Sequence, residues 1–299
     1  MISVAAAEFL MGSDDFYPEE APARMCRVGP FRLDAYPVTN AQFGHFVADT
    51  GYATIAERDL SPEEFLFLPA ERRRPGSLVF HGTTGPVDRM SWQSWWSWTP
   101  GADWRHPSGP RSSTTGLEDH PVVQIAYADA VAYADWAGLR LPTEAEYEYA
   151  AGGGRRPAPY AWGAERDPGG IVMANTWHGR FPHQNLGANG WHGTSPVGAF
   201  SANRLGFYDL IGNVWEWTSD FYTATRSAGD SSRVDADIDA AASGGPGSGM
   251  PRRVLKGGSH LCAPEHSLRY RPAGRIPQAE DTATTHIGFR CAADIHRTL

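Results

Sequence analysis

From Ala53 to Leu117 the chain shows neither the 3.6-residue period of an amphipathic helix nor the alternation of a half-buried strand. The same stretch carries Trp92, Trp95, Trp96, Trp98 and Trp104. A stretch this long without a period predicts irregular backbone, held by aromatic packing and local hydrogen bonds rather than by long helices. The tryptophans read first as the packing of a loop-rich layer. Composition points the same way, with 33 Gly, 23 Pro and 11 Trp among 299 residues. No internal repeat, heptad or nucleotide-binding glycine pattern is present.

Against that background three helices stand out. Ala41–Tyr52 follows Thr39, and Thr39-x-x-Gln42 matches a capping box, with Gly51 as the stop. Tyr127–Ala137 is alanine-rich and ends before Gly138. Glu144–Ala151 follows a second capping box, Thr143-x-x-Glu146, and ends at Gly152. Short strands are predicted at Phe31–Ala35, Val122–Ile125, Val214–Thr218, Arg253–Lys256 and Ile287–Cys291, each bounded by Gly, Pro, Asn or Asp. Arg226–Met250 is polar and rich in Gly, Ser, Ala and Asp. It reads as a mobile surface loop, because strand-like sequence resumes directly after it. A single α+β domain over residues 1–299, low in regular structure, is expected.

Charge and cysteine content narrow the function classes. Lys plus Arg number 26 against 34 Asp plus Glu, a net charge of −8, which argues against broad nucleic-acid binding. No apolar run approaches the roughly 18–20 residues of a membrane span. Met1–Met11 lacks a basic n-region and carries Glu8, unlike a signal peptide. The 3 cysteines cannot all pair, so a disulfide scaffold is excluded. A soluble cytoplasmic monomer is expected. Lys256 is the only lysine, so no single arginine can be singled out as a chosen phosphate ligand.

Four constellations carry possible chemistry. Gly257–Ser267 (GGSHLCAPEHS) sets the Cys262 thiol among the imidazoles of His260 and His266. These donors suit Cu(I) or Zn, and equally a buried thiol beside a turn. Asp209 and Glu216 bracket a Gly-Asn turn, and two carboxylates with turn carbonyls suit Ca²⁺, or are simply solvated acids. Asn175-Thr176-Trp177 with Asn189-Gly190-Trp191 is a weaker oxygen set of the same kind. Arg269, Arg271, Arg275 and Arg290 read as partners in structural ion pairs.

Taken in order, MGSDDFYPEEAP, YPVTNAQF, RLPTEAEYEYAA, ANTWHGRFP, GNVWEW, KGGSHLC, RYRPAGR and GFRC resemble formylglycine-generating enzymes, also called sulfatase-modifying factors. The resemblance covers nearly the whole chain. It implies a compact α+β fold related to C-type lectins. KGGSHLCAPE with RYRPA and TATTHIGFRC is similar to the bacterial copper-dependent members. Those use O₂ to oxidise a cysteine in a C-x-P-x-R sulfatase motif to Cα-formylglycine. The implied cofactors are Cu(I), structural Ca²⁺ and O₂ as co-substrate. The implied partner is a peptide or sulfatase bearing a reactive cysteine, or a small thiol.

Carried over by position, Cys262 matches the first of two copper cysteines, while the second falls on Ser267. The aromatic residue usually just before it is His266. Ser259 matches an active-site serine, and Trp215 and Arg275 match positions lining the substrate cleft. Asp209, Gly212, Val214 and Glu216 match one calcium site; Asn175, Thr176, Asn189 and Trp191 match the other. A serine hydroxyl is hard and neutral, a poor substitute for a Cu(I) thiolate. Three readings therefore stand: a copper oxidase of the formylglycine-generating type acting through Cys262, Ser259 and Ser267 with His266 at the substrate; a diverged mononuclear oxygenase of secondary metabolism using Cys262, His266 and His260; and a non-catalytic peptide-binding paralogue.

Overall fold

A computed structural model describes residues 1–59, 74–154, 158–224 and 250–295. Among the described residues there are three α-helices, two of them opened by capping boxes. Helix α1 (Asn40–Thr50) starts at Thr39, whose hydroxyl accepts from Gln42 N, while Gln42 Oε1 accepts from Thr39 N at 2.9 Å. It stops at Gly51, which takes the left-handed conformation that a side chain would resist. Helix α3 (Glu144–Ala151) repeats the arrangement with Thr143 and Glu146. Helix α2 (Tyr127–Trp136) has alanine at its N-cap, and Asp129 supplies the missing acceptor. Its carboxylate takes Ala126 N and Ile55 N, both at 2.9 Å. Burial lifts the Asp129 pKa to about 6.

Eleven strands are short: β1 (Ile2–Val4), β2 (Ala7–Met11), β3 (Arg24–Val28), β4 (Phe31–Leu33), β5 (Gly76–Phe80), β6 (Trp96–Pro100), β7 (Trp215–Phe221), β8 (Arg252–Lys256), β9 (Arg275–Ala279), β10 (Ile287–Gly288) and β11 (Ala292–Asp294). The main sheet has the order β10-β7-β8-β9. A second has β1-β4-β11, and β2–β3 and β5–β6 are separate antiparallel pairs.

Three expectations change. Val122–Ile125 is not a strand: Gln124 is left-handed (φ 63°), and Val122 N and Gln124 N donate to Val38 and Thr284 in different segments. Of Ile287–Cys291 only Ile287–Gly288 is strand, beside β7; strand pairing resumes after Cys291, at Ala292–Asp294 in the other sheet. The aperiodic tryptophan stretch contains the β5–β6 hairpin. Within it Trp95 and Trp104 are buried, but Trp92 is half exposed. The loop expected at 226–250 lies, except for Met250, outside the described residues.

The main core joins helices to sheet through Phe43, Phe46, Tyr133, Tyr147, Trp217 and Phe289. A second cluster gathers Trp95, Trp177, Phe181, Leu261 and Ala263, with Phe80, Val87 and Trp96 against it. Cys262 belongs to the first cluster and both its neighbours to the second, so its turn lies on the seam between them. The arginines are internal partners, as expected. Arg290 pairs with Glu216, Arg271 with Glu20, Arg275 with Glu144 and Arg269 with Glu19. Buried pairs of this kind impose register more than they add net stability, since desolvation offsets the attraction.

Candidate active site

The chain leaves β8 through two glycines that the fold requires. At Gly257 (φ 93°) a Cβ would meet the Tyr147 hydroxyl at 2.5 Å and Leu210 O at 2.9 Å; at Gly258 (φ 76°) it would meet Tyr270 Cα at 2.8 Å. The next residues form a tight turn. Cys262 N donates to Ser259 O (2.9 Å), Leu261 N to Ser259 Oγ (3.2 Å), and Ser259 N to Cys262 Sγ (3.3 Å). Ser259 is therefore a buried part of the turn's own bonding. A second turn, in which Ala263 O accepts both His266 N and Ser267 N, returns the chain so that Cys262 Sγ faces Ser267 Oγ at 3.8 Å. Burial raises the Cys262 pKa, against smaller opposing effects of the Ser259 and Ser267 contacts. The group is a thiol at neutral pH, donating to Ser267.

The histidines take different roles. His260 is buried, and its N and Nδ1 both donate to Asn213 O (2.9 and 2.8 Å). A carbonyl only accepts, so Nδ1 carries the proton; burial lowers the pKa to about 4 and the ring is neutral. His266 lies flat on Phe181, with centroids 4.1 Å apart and planes at 4°, and edge-on to Trp95. Its pKa is lowered, first by burial against that aromatic wall, then by Arg89 and Arg269. His286 was not anticipated. It hydrogen-bonds Thr284 Oγ1 through Nδ1 (2.8 Å) and packs on Trp96. Burial, then His260 and His266, push its pKa down to about 3. Nothing in the local pattern of T-T-H-I-G marks it; only the β5–β6 hairpin brings Trp96 to it.

Two residues expected along the cleft lie inside. Trp215 is in the main core cluster, 3% exposed. Arg275 is 1% exposed, bound to Glu144 and to the carbonyls of Glu19 and Thr223. Neither presents an open face. The three-ligand Cys262–His260–His266 set is also not assembled: among the described residues no three His, Cys, Asp or Glu side chains converge on a metal position. His260 turns Nδ1 to Asn213, and His266 lies on Phe181. At the Cys262–Ser267 pair there is one soft donor, where Cu(I) favours two. The two-thiolate copper centre does not fit these residues.

The oxygen sets fit a hard cation better. Asn175 is buried, and among the described residues its Oδ1 has no hydrogen-bond partner. Its Nδ2 reaches Gly193 O (2.9 Å) and Asn213 Oδ1 (3.3 Å). Thr176 is buried beside it, while Asn189 and Trp191 lie exposed on the turn closed by Ala188 and Trp191. Asp209 accepts from Gly198 N (2.7 Å), and burial raises its pKa to about 6. Glu216 differs from expectation: both its oxygens accept from Arg290 (2.7 and 2.8 Å), and Oε1 also from Tyr147. Glu216 is the counter-ion of Arg290. Of the two carboxylates expected to hold calcium, Asp209 is therefore the one without an arginine counter-ion pairing of this kind.

The sequence matches the Sulfatase-modifying factor enzyme 1-like domain over residues 1–295. It is 55% identical to the formylglycine-generating enzyme of Mycobacterium tuberculosis, over 98% of this chain and 97% of that protein. It is 36% identical to the mouse (Mus musculus) protein named inactive C-alpha-formylglycine-generating enzyme 2, over 99% of this chain and 86% of that one. Among solved structures, PvdO from Pseudomonas aeruginosa superposes with a TM-score of 0.59 at 24% identity, covering 98% of this chain and 93% of that one. That likeness concerns the fold alone.

Proposed function

The chain belongs to the formylglycine-generating enzyme (sulfatase-modifying factor) family, and we propose that it acts on the cysteine of a peptide or sulfatase, taking it to Cα-formylglycine. The observation that supports this reading is the Ser259–Ser267 turn. It holds a buried thiol on the seam of two hydrophobic clusters, beside an aromatic wall of Trp95, Phe181 and His266. A peptide laid along that wall brings its cysteine to Cys262. The apolar neighbours exclude bulk water and competing soluble thiols. Ser267 accepts the Cys262 proton bond, and neutral His286 offers a polar edge for the peptide backbone.

Conversion of a thiol-bearing CH₂ to an aldehyde by O₂ releases sulfide and water, and takes two further electrons from an external thiol reductant. In the family that the motifs resemble, copper supplies the redox partner for O₂. Ser267 leaves Cys262 as the one soft donor of that pair. Two Ca²⁺ ions, held by the Asp209 and Asn175 sets, belong to the same reading. They would brace turns that have few ladder hydrogen bonds.

The test incubates the protein with a C-x-P-x-R peptide, O₂, Cu(I) and a thiol reductant, then traps aldehyde with a hydrazine and weighs the peptide. A hydrazone of the expected mass supports the reading. A second reading, a non-catalytic peptide-binding paralogue, is favoured by Ser267 itself. It requires saturable binding of the same peptide without any aldehyde.

A further inference from the structure

We propose that Asn213 is a positioning residue that couples cation occupancy of the two oxygen cages to the Cys262 turn. The inference rests on the calcium reading above and extends it from bracing to control.

Asn213 is fully buried, in the left-handed conformation (φ 61°), between Gly212 and Val214, whose carbonyls the calcium reading assigns to the first cage. Its side chain bridges outward. Oδ1 accepts from Ser195 N (3.0 Å) and from Asn175 Nδ2 (3.3 Å), and Nδ2 donates to Ser195 O (3.1 Å). Its own N donates to Asn175 O (2.8 Å). On the other side its carbonyl takes both His260 N and His260 Nδ1. One residue thus sits in the Gly212–Val214 backbone of the first set, bonds Asn175 of the second, and holds the turn that carries Cys262.

A second connection runs in parallel. Trp177 N, two residues after Asn175, donates to Cys262 O (2.9 Å). The cage segment therefore grips the turn at His260 through Asn213 and at Cys262 directly. Asn175 Oδ1, buried and without a partner among the described residues, is the atom a cation would engage. Fixing it fixes the amide on the same side chain, and with it Asn213. An empty cage leaves that acceptor unpaired, a cost that favours local opening of these segments.

The readout is alkylation of each cysteine in the intact chain, followed by mass spectrometry, with calcium and with chelator. Cys26 and Cys291 are also buried and serve as internal references. Calcium is expected to slow Cys262 alkylation by roughly tenfold more than either reference, within the usual range of coupling between sites. Asn213→Gly keeps the backbone conformation and the carbonyl but removes the side-chain bridge. In that variant the excess slowing at Cys262 should shrink to the level of the references. If calcium raises the melting temperature yet slows all three thiols alike, the coupling is overturned and the calcium reading survives. If calcium leaves the melt unchanged, that reading fails and the coupling with it. Should Asn213→Gly not fold, amide exchange of the wild-type chain decides. Calcium should raise protection at Asn213, His260 and Cys262 more than in α1, and equal protection would overturn the proposal.

Discussion

Cys262 Sγ faces Ser267 Oγ at 3.8 Å across a turn closed by Ala263 O. The scaffold therefore aims residue 267 at the sulfur, although the residue itself is a hydroxyl. The placement is that of a donor pair with one soft member missing.

Replacing that hydroxyl should restore the pair. Ser267→Cys is expected to tighten Cu(I) binding by orders of magnitude in a competition titration, because an anionic thiolate replaces a neutral hydroxyl. Aldehyde formation on a C-x-P-x-R peptide should appear or rise with it. His266→Ala should leave Cu(I) affinity nearly unchanged, since that ring lies on Phe181. A loss of metal in His266→Ala, with no gain in Ser267→Cys, would refute this assignment and point to a histidine-built site.

Glu216 should matter for stability before it matters for calcium. Glu216→Ala leaves the buried Arg290 without its counter-ion. The expected loss is about 3–5 kcal/mol, as for other broken buried pairs, and it should persist in chelator. Asp209→Asn removes cage charge without orphaning an arginine's principal partner. It should instead abolish most of the calcium-dependent rise in melting temperature. The two variants exchanging behaviour would show that Glu216, not Asp209, holds the cation.

Asp129 should make the fold lose stability as pH rises. Its folded pKa is raised to about 6 from an ordinary 3.8, chiefly by burial, so the folded chain holds the proton more tightly than the unfolded one. That contribution is complete below about pH 4 and disappears as pH climbs through 6. Its size is on the order of 3 kcal/mol. Urea titrations from pH 4 to pH 7 should show a smaller decline in Asp129→Asn than in the wild type. Parallel curves would contradict the placement.

Cys262 should be the functional cysteine. Cys26 lies on β3 opposite Phe9, and Cys291 is buried with its thiol pKa pushed far up by burial. Cys26→Ala and Cys291→Ala should keep peptide affinity within about twofold, with only a stability cost for lost packing, as for a small apolar residue. Cys262→Ala should lower that affinity by far more. Equal losses at all three positions in a peptide-binding assay would count against a dedicated Cys262 site.

By itself the sequence determined the parts whose cause is local. Thr39 with Gln42 and Thr143 with Glu146 mark helix starts because the bonded groups are three residues apart. The Gly257-Gly258-Ser259 run announces a turn that a side chain would block. The motif order carried the family, and the arginines' structural role was legible from their abundance. Only the tertiary structure decided which partners meet. Glu216 finds Arg290 74 positions away, and Arg275 finds Glu144 at 131. These pairings make Glu216 a counter-ion and Arg275 an internal brace, where the motifs implied a calcium ligand and a cleft residue. The hairpin that gives His286 its Trp96 wall was hidden for the same reason. β5 is buried on both faces without alternation, β6 alternates only over Trp96-Ser97-Trp98-Thr99, and the contact with His286 joins segments far apart in the chain.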